Sequence, residues 1–218
     1  MKNIEMMSIL FTLRTLSLLV VFSLLTACGG GGGGAAPATQ AGPIALPRTG
    51  QTSCFDTSVP PQAVACNTAG IPPGQDGAYQ TGVAEPNPRF VAGTGATADC
   101  VTDNLTGLMW AGNANLPAGV RTWQQALAFA NDLDLCGFTD WRLPNRKELR
   151  SLTNYGFVNN AAALNILGFN SVQAADYWSS TSYAGGAFPY AWMVRVNGGV
   201  GFDNKSSSFY VWPVRAGR

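Results

Sequence analysis

The chain has 218 residues, 46% of them hydrophobic, with 13 lysines and arginines set against 12 aspartates and glutamates. It contains no histidine, which excludes a Ser-His-Asp triad, a Cys-His pair and any histidine-bound metal within the chain. The near-neutral balance also excludes the strongly basic field that gathers nucleic acid.

Residues 1–27 are expected to be an export signal. Lys2 and Arg14 supply positive charge, and residues 16–25 form an uncharged apolar run too short to span a bilayer comfortably. Leu25-Thr26-Ala27-Cys28 closes the segment and resembles the lipobox of bacterial lipoproteins, which implies acylation of Cys28 as the first mature residue. Residues 28–45 then read as a lipidated cysteine and tether. Gly29 to Gly34 is an unbroken glycine run, with high backbone entropy and no side chains to pack. By the same resemblance, Gly29 after the cysteine implies the outer membrane, and the membrane is the first expected partner.

Past that tether the chain is long enough for one ordinary domain with a sizeable core. Once Lys2, Arg14 and Glu5 are removed, eleven basic and eleven acidic residues remain. Four further cysteines, Cys54, Cys66, Cys100 and Cys136, suggest disulfides in an exported chain, and four allow three pairings. Cys54–Cys66 with Cys100–Cys136 is preferred, since the first would close a short proline-containing loop and the second would tie an early strand to the end of the first helix.

Residues 46–86, rich in Gly, Pro, Thr and Asn, read as an irregular, disulfide-pinned lead-in. Short strands are predicted over residues 89–92, 98–101 and 107–110, with a turn at Asp103-Asn104. A helix starts after Thr122, where Gln125 three residues on completes a capping box. Its apolar face is Trp123, Ala126, Leu127, Ala130 and Leu133, and Gly137 is the expected C-terminal cap. A second helix is capped by Asn145, with Glu148 at the reciprocal position, so that Glu148 reads as a capping residue before a catalytic one.

The last third is β-rich. Strands are predicted over residues 176–181, 189–196 and 209–214. Asn197-Gly198 signals a short hairpin turn, and Pro213 argues for a free edge or bulge. Two main helices followed by short antiparallel strands give an α+β domain, with its first and last strands close together and Trp141, Trp178, Trp192 and Trp212 mostly in structural layers.

Residues 87–218 resemble the Lcl C-terminal domain family, long catalogued as a domain of unknown function. The resemblance rests on Pro88-Arg89-Phe90, Thr102-Asp103-Asn104-Leu105-Thr106-Gly107-Leu108-Met109-Trp110, Trp123-Gln124-Gln125-Ala126-Leu127, Trp141-Arg142-Leu143-Pro144-Asn145 with Glu148-Leu149, Tyr177-Trp178-Ser179-Ser180-Thr181 and the closing Val214-Arg215. It implies a C-type-lectin-like fold, similar to that of formylglycine-generating enzymes. The oxidase chemistry of those relatives needs cysteines near the end of the domain, and this chain has none after Cys136. The family includes a collagen-like adhesin that binds sulfated glycans. This chain lacks both a collagen repeat and net positive charge, so neither trimerisation nor that ligand carries over.

The functional expectation is a noncatalytic envelope module binding glycan or an envelope or host protein. The alternatives are a structural envelope lipoprotein and a carboxylate-dependent hydrolase, which needs only two suitably spaced acids. Asp176, Tyr183, Tyr190, Asn197, Asp203, Asn204 and Lys205 are the exposed candidates for binding, because aromatic faces stack on sugars and amides supply adaptable hydrogen bonds. No cofactor is expected. Asp203 and Asn204 offer oxygens of the kind calcium takes, although a site needs several more converging on it.

Overall fold

The structure, a computed structural model, describes residues 46–185 and 189–217. The export signal, Cys28 and the glycine tether lie outside the described residues.

The lead-in has too few apolar residues for a core, and polar clamps hold it together. Strands β1 (Cys54–Phe55) and β2 (Ala63–Val64) form an antiparallel ribbon, closed by a Cys54–Cys66 disulfide. A single helical turn, α1 (Asp76–Tyr79), follows. The Gln75 amide pairs with both backbone groups of Phe55, accepting at 2.8 Å and donating at 2.9 Å. Gly77 faces the Ser53 carbonyl so closely that a Cβ there would lie 2.2 Å from its oxygen. The lead-in is tied to the rest where the Tyr155 N–H donates to the Thr49 carbonyl at 2.7 Å.

A four-stranded antiparallel sheet comes next, built from β3 (Phe90–Ala92), β4 (Cys100–Asp103), β5 (Leu108–Ala111) and β11 (Val214–Ala216) in the order β11-β5-β4-β3. The first and last of these strands, expected close together, share this sheet and occupy its opposite edges, with β4 and β5 between them. Asp103 makes the β4–β5 turn, as its position predicts, and it is fully buried. Its carboxylate accepts the Leu105 N–H at 3.0 Å and the Thr106 hydroxyl at 2.8 Å, and takes Arg89 at 3.1 and 3.2 Å. Arg89 also donates to Glu85 and to the Ser151 carbonyl. The motifs at 88–90 and 102–107 are therefore two halves of one buried ion pair.

Helix α2 (Trp123–Asn131) begins with the expected Thr122–Gln125 capping box, right after the two-residue strand β6 (Arg121–Thr122). It ends at Asp132, earlier than a cap at Gly137 requires. Cys136 and Gly137 instead carry positive φ in a tight turn closed by Leu135 and Phe138, which presents Cys136 to Cys100 for the second disulfide. Helix α3 (Arg146–Ser151) has the predicted Asn145–Glu148 box. A further helix, α4 (Asn160–Ile166), is capped by Asn159 and buries Ala161 and Leu164; its three alanines carry no periodic signal.

Strands β7 (Asp176–Ser182), β8 (Tyr190–Arg195) and β9 (Val200–Asn204) form an antiparallel sheet in that order. The β8–β9 connection is longer than a two-residue turn. The Gly198 N–H donates to Arg195 and the Arg195 N–H to Gly199, with Gly198 alone in the positive-φ region of this turn. The predicted strand 209–214 is broken in two. β10 (Ser208–Phe209) pairs with β6. Tyr210 then bonds to β7 through Trp178 and Asp176, and Pro213 precedes β11, so no ladder donor is asked of it.

Alternation along β7 and β8 places two hydrophobic clusters on opposite faces of this sheet. Tyr177 and Val194 join a cluster with Phe90, Trp110, Trp141, Phe169 and Trp212, whereas Trp178 and Ala191 join Ala126, Ala130, Leu143 and Val211. Trp110 and Phe169 each meet Trp212 edge-on, at 5.8 and 5.0 Å. Each such tryptophan removes about 200 Å² from water, worth at most roughly 5 kcal/mol. The family motif at 141–145 stitches the clusters together: Trp141 enters the first, Leu143 the second, and Arg142 pairs its backbone with Val214 at 2.9 Å in both directions.

Candidate functional site

One end of the three-stranded sheet carries aromatic side chains that are not enclosed by either cluster. The register sets Trp192 opposite Phe202 and Tyr190 opposite Asn204. Tyr183 stacks flat on Phe202 with ring centroids 4.2 Å apart and planes 17° from parallel. Trp192 meets both rings edge-on at 5.5 Å, and Tyr190 lies 5.6 Å from Phe202. Phe202 is 45% exposed. The Arg146 guanidinium covers Trp192 at 4.3 Å, and its position is set by the start of α3, where its N–H donates to Thr181.

On the opposite face of the same end lies a groove of about 460 Å³ lined by Thr122, Trp123, Gln124, Pro189, Asn204, Lys205 and Ser206. The Trp123 indole N–H is fixed on the Ser179 carbonyl at 2.9 Å. Lys205 sits 4.0 Å above the Trp123 ring and donates to the Ser182 hydroxyl at 3.0 Å.

The seven candidate residues therefore do not form one site. Tyr183, Tyr190, Asp203, Asn204 and Lys205 gather at the aromatic end, whereas Asp176 and Asn197 stand at the other. Only Asn197 is fully in the exposed class, and the rest are half-buried. Asp176 holds Arg195 through two bonds of 3.1 and 2.8 Å, which raises the Arg195 pKa. The Asn197 side chain accepts the Asn160 N–H at 3.0 Å and so anchors α4. Asp203 takes the Asn204 N–H and the Ser207 hydroxyl, and Asn204 takes both donors of Ser206. These oxygens close a turn, and among the described residues no group of three or more Cys, Asp or Glu is placed to hold a metal ion. Trp192 and Phe202 are the residues sequence reasoning left out of the site. Counting equally outward from an Asn197-Gly198 turn pairs Phe202 with Met193; the longer connection, centred on Asn197, is what sets Trp192 opposite Phe202.

Five of the eleven described carboxylates pair with arginines. Besides Asp103 and Asp176, Asp140 holds Arg215 at 2.6 Å and Glu85 holds Arg89 at 2.7 Å. Glu148 receives Arg142 through two bonds of 2.7 Å and the Asn145 N–H at 2.8 Å. Burial alone would raise the Glu148 carboxyl; these donors outweigh it and hold the group below the usual carboxylate range. Tyr177 shifts the other way, its phenol pushed up by burial. No described helix is long and apolar enough to cross a membrane.

In comparison with known proteins, residues 99–215 match the Lcl C-terminal domain family. No curated protein matches the chain.

Proposed function

The chain belongs to the Lcl C-terminal domain family, and from that premise we propose that it is a noncatalytic binding module for glycan or protein, held at the bacterial outer membrane by a lipid on Cys28. The carrying observation is the aromatic patch of Tyr183, Tyr190, Trp192 and Phe202. Four such rings left partly in water at one sheet end offer flat apolar faces, while Arg146 supplies donors at their border. Rings of this kind stack on the C–H faces of a pyranose or anchor a protein contact, and each aromatic contact contributes about 0.5–1.5 kcal/mol beyond area. Pairing of Asp103, Glu148 and Asp176 with arginines supports binding over hydrolysis at those acids, because an ion-paired acid is not poised to donate a proton at neutral pH.

The full chain is to be screened against envelope and host glycans and surface proteins, with and without calcium, while glycan cleavage is followed. Saturable binding without turnover, lost in Trp192→Ala and Tyr190→Ala but kept in Asn197→Ala, is the expected outcome. Turnover abolished by a single carboxylate substitution would sink the noncatalytic reading. For the anchor, Cys28→Ser should leave the precursor unlipidated and move it out of the membrane fraction, and mass spectrometry of the mature wild type should find an acylated Cys28. A mature chain starting elsewhere without lipid would overturn it.

A further inference from the structure

Strand β9 is paired on one side only, standing at the end of the order β7-β8-β9. Its bonds to β8 come from alternate residues: the Arg195 N–H donates to the Gly199 carbonyl, and the Lys205 N–H to the Pro189 carbonyl, both at 2.8 Å. With Met193 opposite Gly201 and Ala191 opposite Asp203, the same alternation turns the N–H and C=O groups of Val200 and Phe202 away from β8. Unpaired edges of this kind accept another strand unless proline, a bulge or clustered charge blocks them. The five residues of β9, Val-Gly-Phe-Asp-Asn, contain one charge and no proline.

We propose that β9 pairs antiparallel with β9 of a second copy of this chain, about a twofold axis at Phe202, merging two three-stranded sheets into one of six strands. The edge is self-complementary in that register. Phe202 exchanges both backbone bonds with Phe202 of the second copy, and Val200 falls opposite Asn204, whose N–H and C=O stay within their own turn, on the Asp203 carboxylate and the Ser207 N–H. On the face shared with Ala191 and Met193, the side chains of the edge are unevenly distributed, since Gly199 and Gly201 have none and Asp203 and Lys205 follow. The twofold sets Asp203 opposite Gly201 and Lys205 opposite Gly199, so the filled half of each edge lies over the empty half of the other and no charge meets its own copy.

Beside the glycine half runs a groove of about 120 Å³ lined by Asp176, Met193, Arg195, Gly199, Val200 and Gly201. Arg195 spends Nε and Nη2 on Asp176, which leaves Nη1 for Asp203 of the second copy. On the other face the two Phe202 rings meet across the axis, covering a ring that is 45% exposed in one copy. A peptide strand from another protein would meet the same backbone groups but would not supply this match of Asp203 to Gly201 and Arg195. The pairing needs no glycan and is tested without one, although it covers Phe202, one of the four rings of the patch proposed for ligand.

Cysteine capture on the full chain in mild detergent tests it, with the unsubstituted chain as baseline. Directly paired residues on neighbouring strands lie about 5.5 Å apart at Cα, within disulfide reach. After mild oxidation without ligand, Phe202→Cys should run mostly as a reducible dimer, at least about tenfold above Val158→Cys, whose side chain is fully exposed elsewhere. Equal capture at both positions, or none at 202, overturns the proposal. A charge pair reads the register independently. Gly201→Lys sets a cation opposite Asp203 and Gly201→Asp sets a like charge there, and both substitutions press equally on the flexible tip of Met193. Sedimentation should show the lysine variant self-associating about tenfold more strongly, and equal association of the two rejects the twofold at Phe202.

Discussion

The two sheets use the same residue types to opposite ends. In and around the four-stranded sheet, Trp110, Phe169 and Trp212 are enclosed, each under 4% exposed, and the Trp212 indole N–H is satisfied by the Ala111 carbonyl at 2.8 Å. On the three-stranded sheet, Tyr183, Tyr190, Trp192 and Phe202 gather just as closely but at a sheet end that neither cluster encloses. Ring packing is therefore a poor guide to purpose here; what separates core from surface is whether a second layer covers the rings. The same contrast holds for charges, since Arg89 and Asp103 are sealed under the first sheet while Arg195 and Asp176 sit at the rim of the second.

Breaking the sealed pair should have the largest effect. Asp103→Ala strands the buried Arg89 and opens the β4–β5 turn, at a cost of about 3–5 kcal/mol, read as a Tm lower by roughly 10 °C. Close behind comes Trp212→Ala, which removes a buried ring and its hydrogen bond for about 3–5 kcal/mol. Trp192→Ala, on the open sheet, should cost no more than about 1–2 kcal/mol in denaturant melts while abolishing ligand binding. Comparable losses of stability in the two tryptophan variants would erase the distinction between the sheets.

Glu148 lies between these extremes, half-covered and bonded to Arg142. Because its folded-state pKa is depressed, the stabilisation is present above the unfolded value of about 4.3 and is lost as pH falls through the lower folded value. Glu148→Gln should thus cost about 1–2 kcal/mol at neutral pH, discounted for the partial exposure of Arg142. The gap to wild type should narrow steadily under acid titration followed by circular dichroism. The smallest effect belongs to Asn197→Ala, which leaves the Asn160 N–H without its side-chain acceptor for about 0.5–1.5 kcal/mol. Its ligand binding should equal wild type, and a binding defect there would return Asn197 to the site.

Much of the fold was legible locally. The capping boxes at Thr122 and Asn145 follow from side chains that satisfy orphan amides three residues on, and strand positions were off by one or two residues because ladder ends depend on the partner. Helix α4 escaped notice because Asn159 and a run of alanines show no amphipathic period; Leu164 and the Asn197 side chain define it from a distance. The single strand expected over residues 209–214 failed for the same reason, since Tyr210 bonds to β7 and Val214 to β5, and no local preference records that switch between sheets.

By itself the sequence determined the α+β class, both helix starts and the loss of all histidine chemistry, because composition and contacts three or four residues apart carry that information. Tertiary structure alone decided that Asp103 is a buried partner of Arg89, that Asp176 and Asn197 stand apart from the other candidates, and that Trp192 and Phe202 face outward together. Those outcomes depend on which strand lies beside which and on what covers each face, and such pairings between residues far apart in the chain are set by the packing of the whole domain.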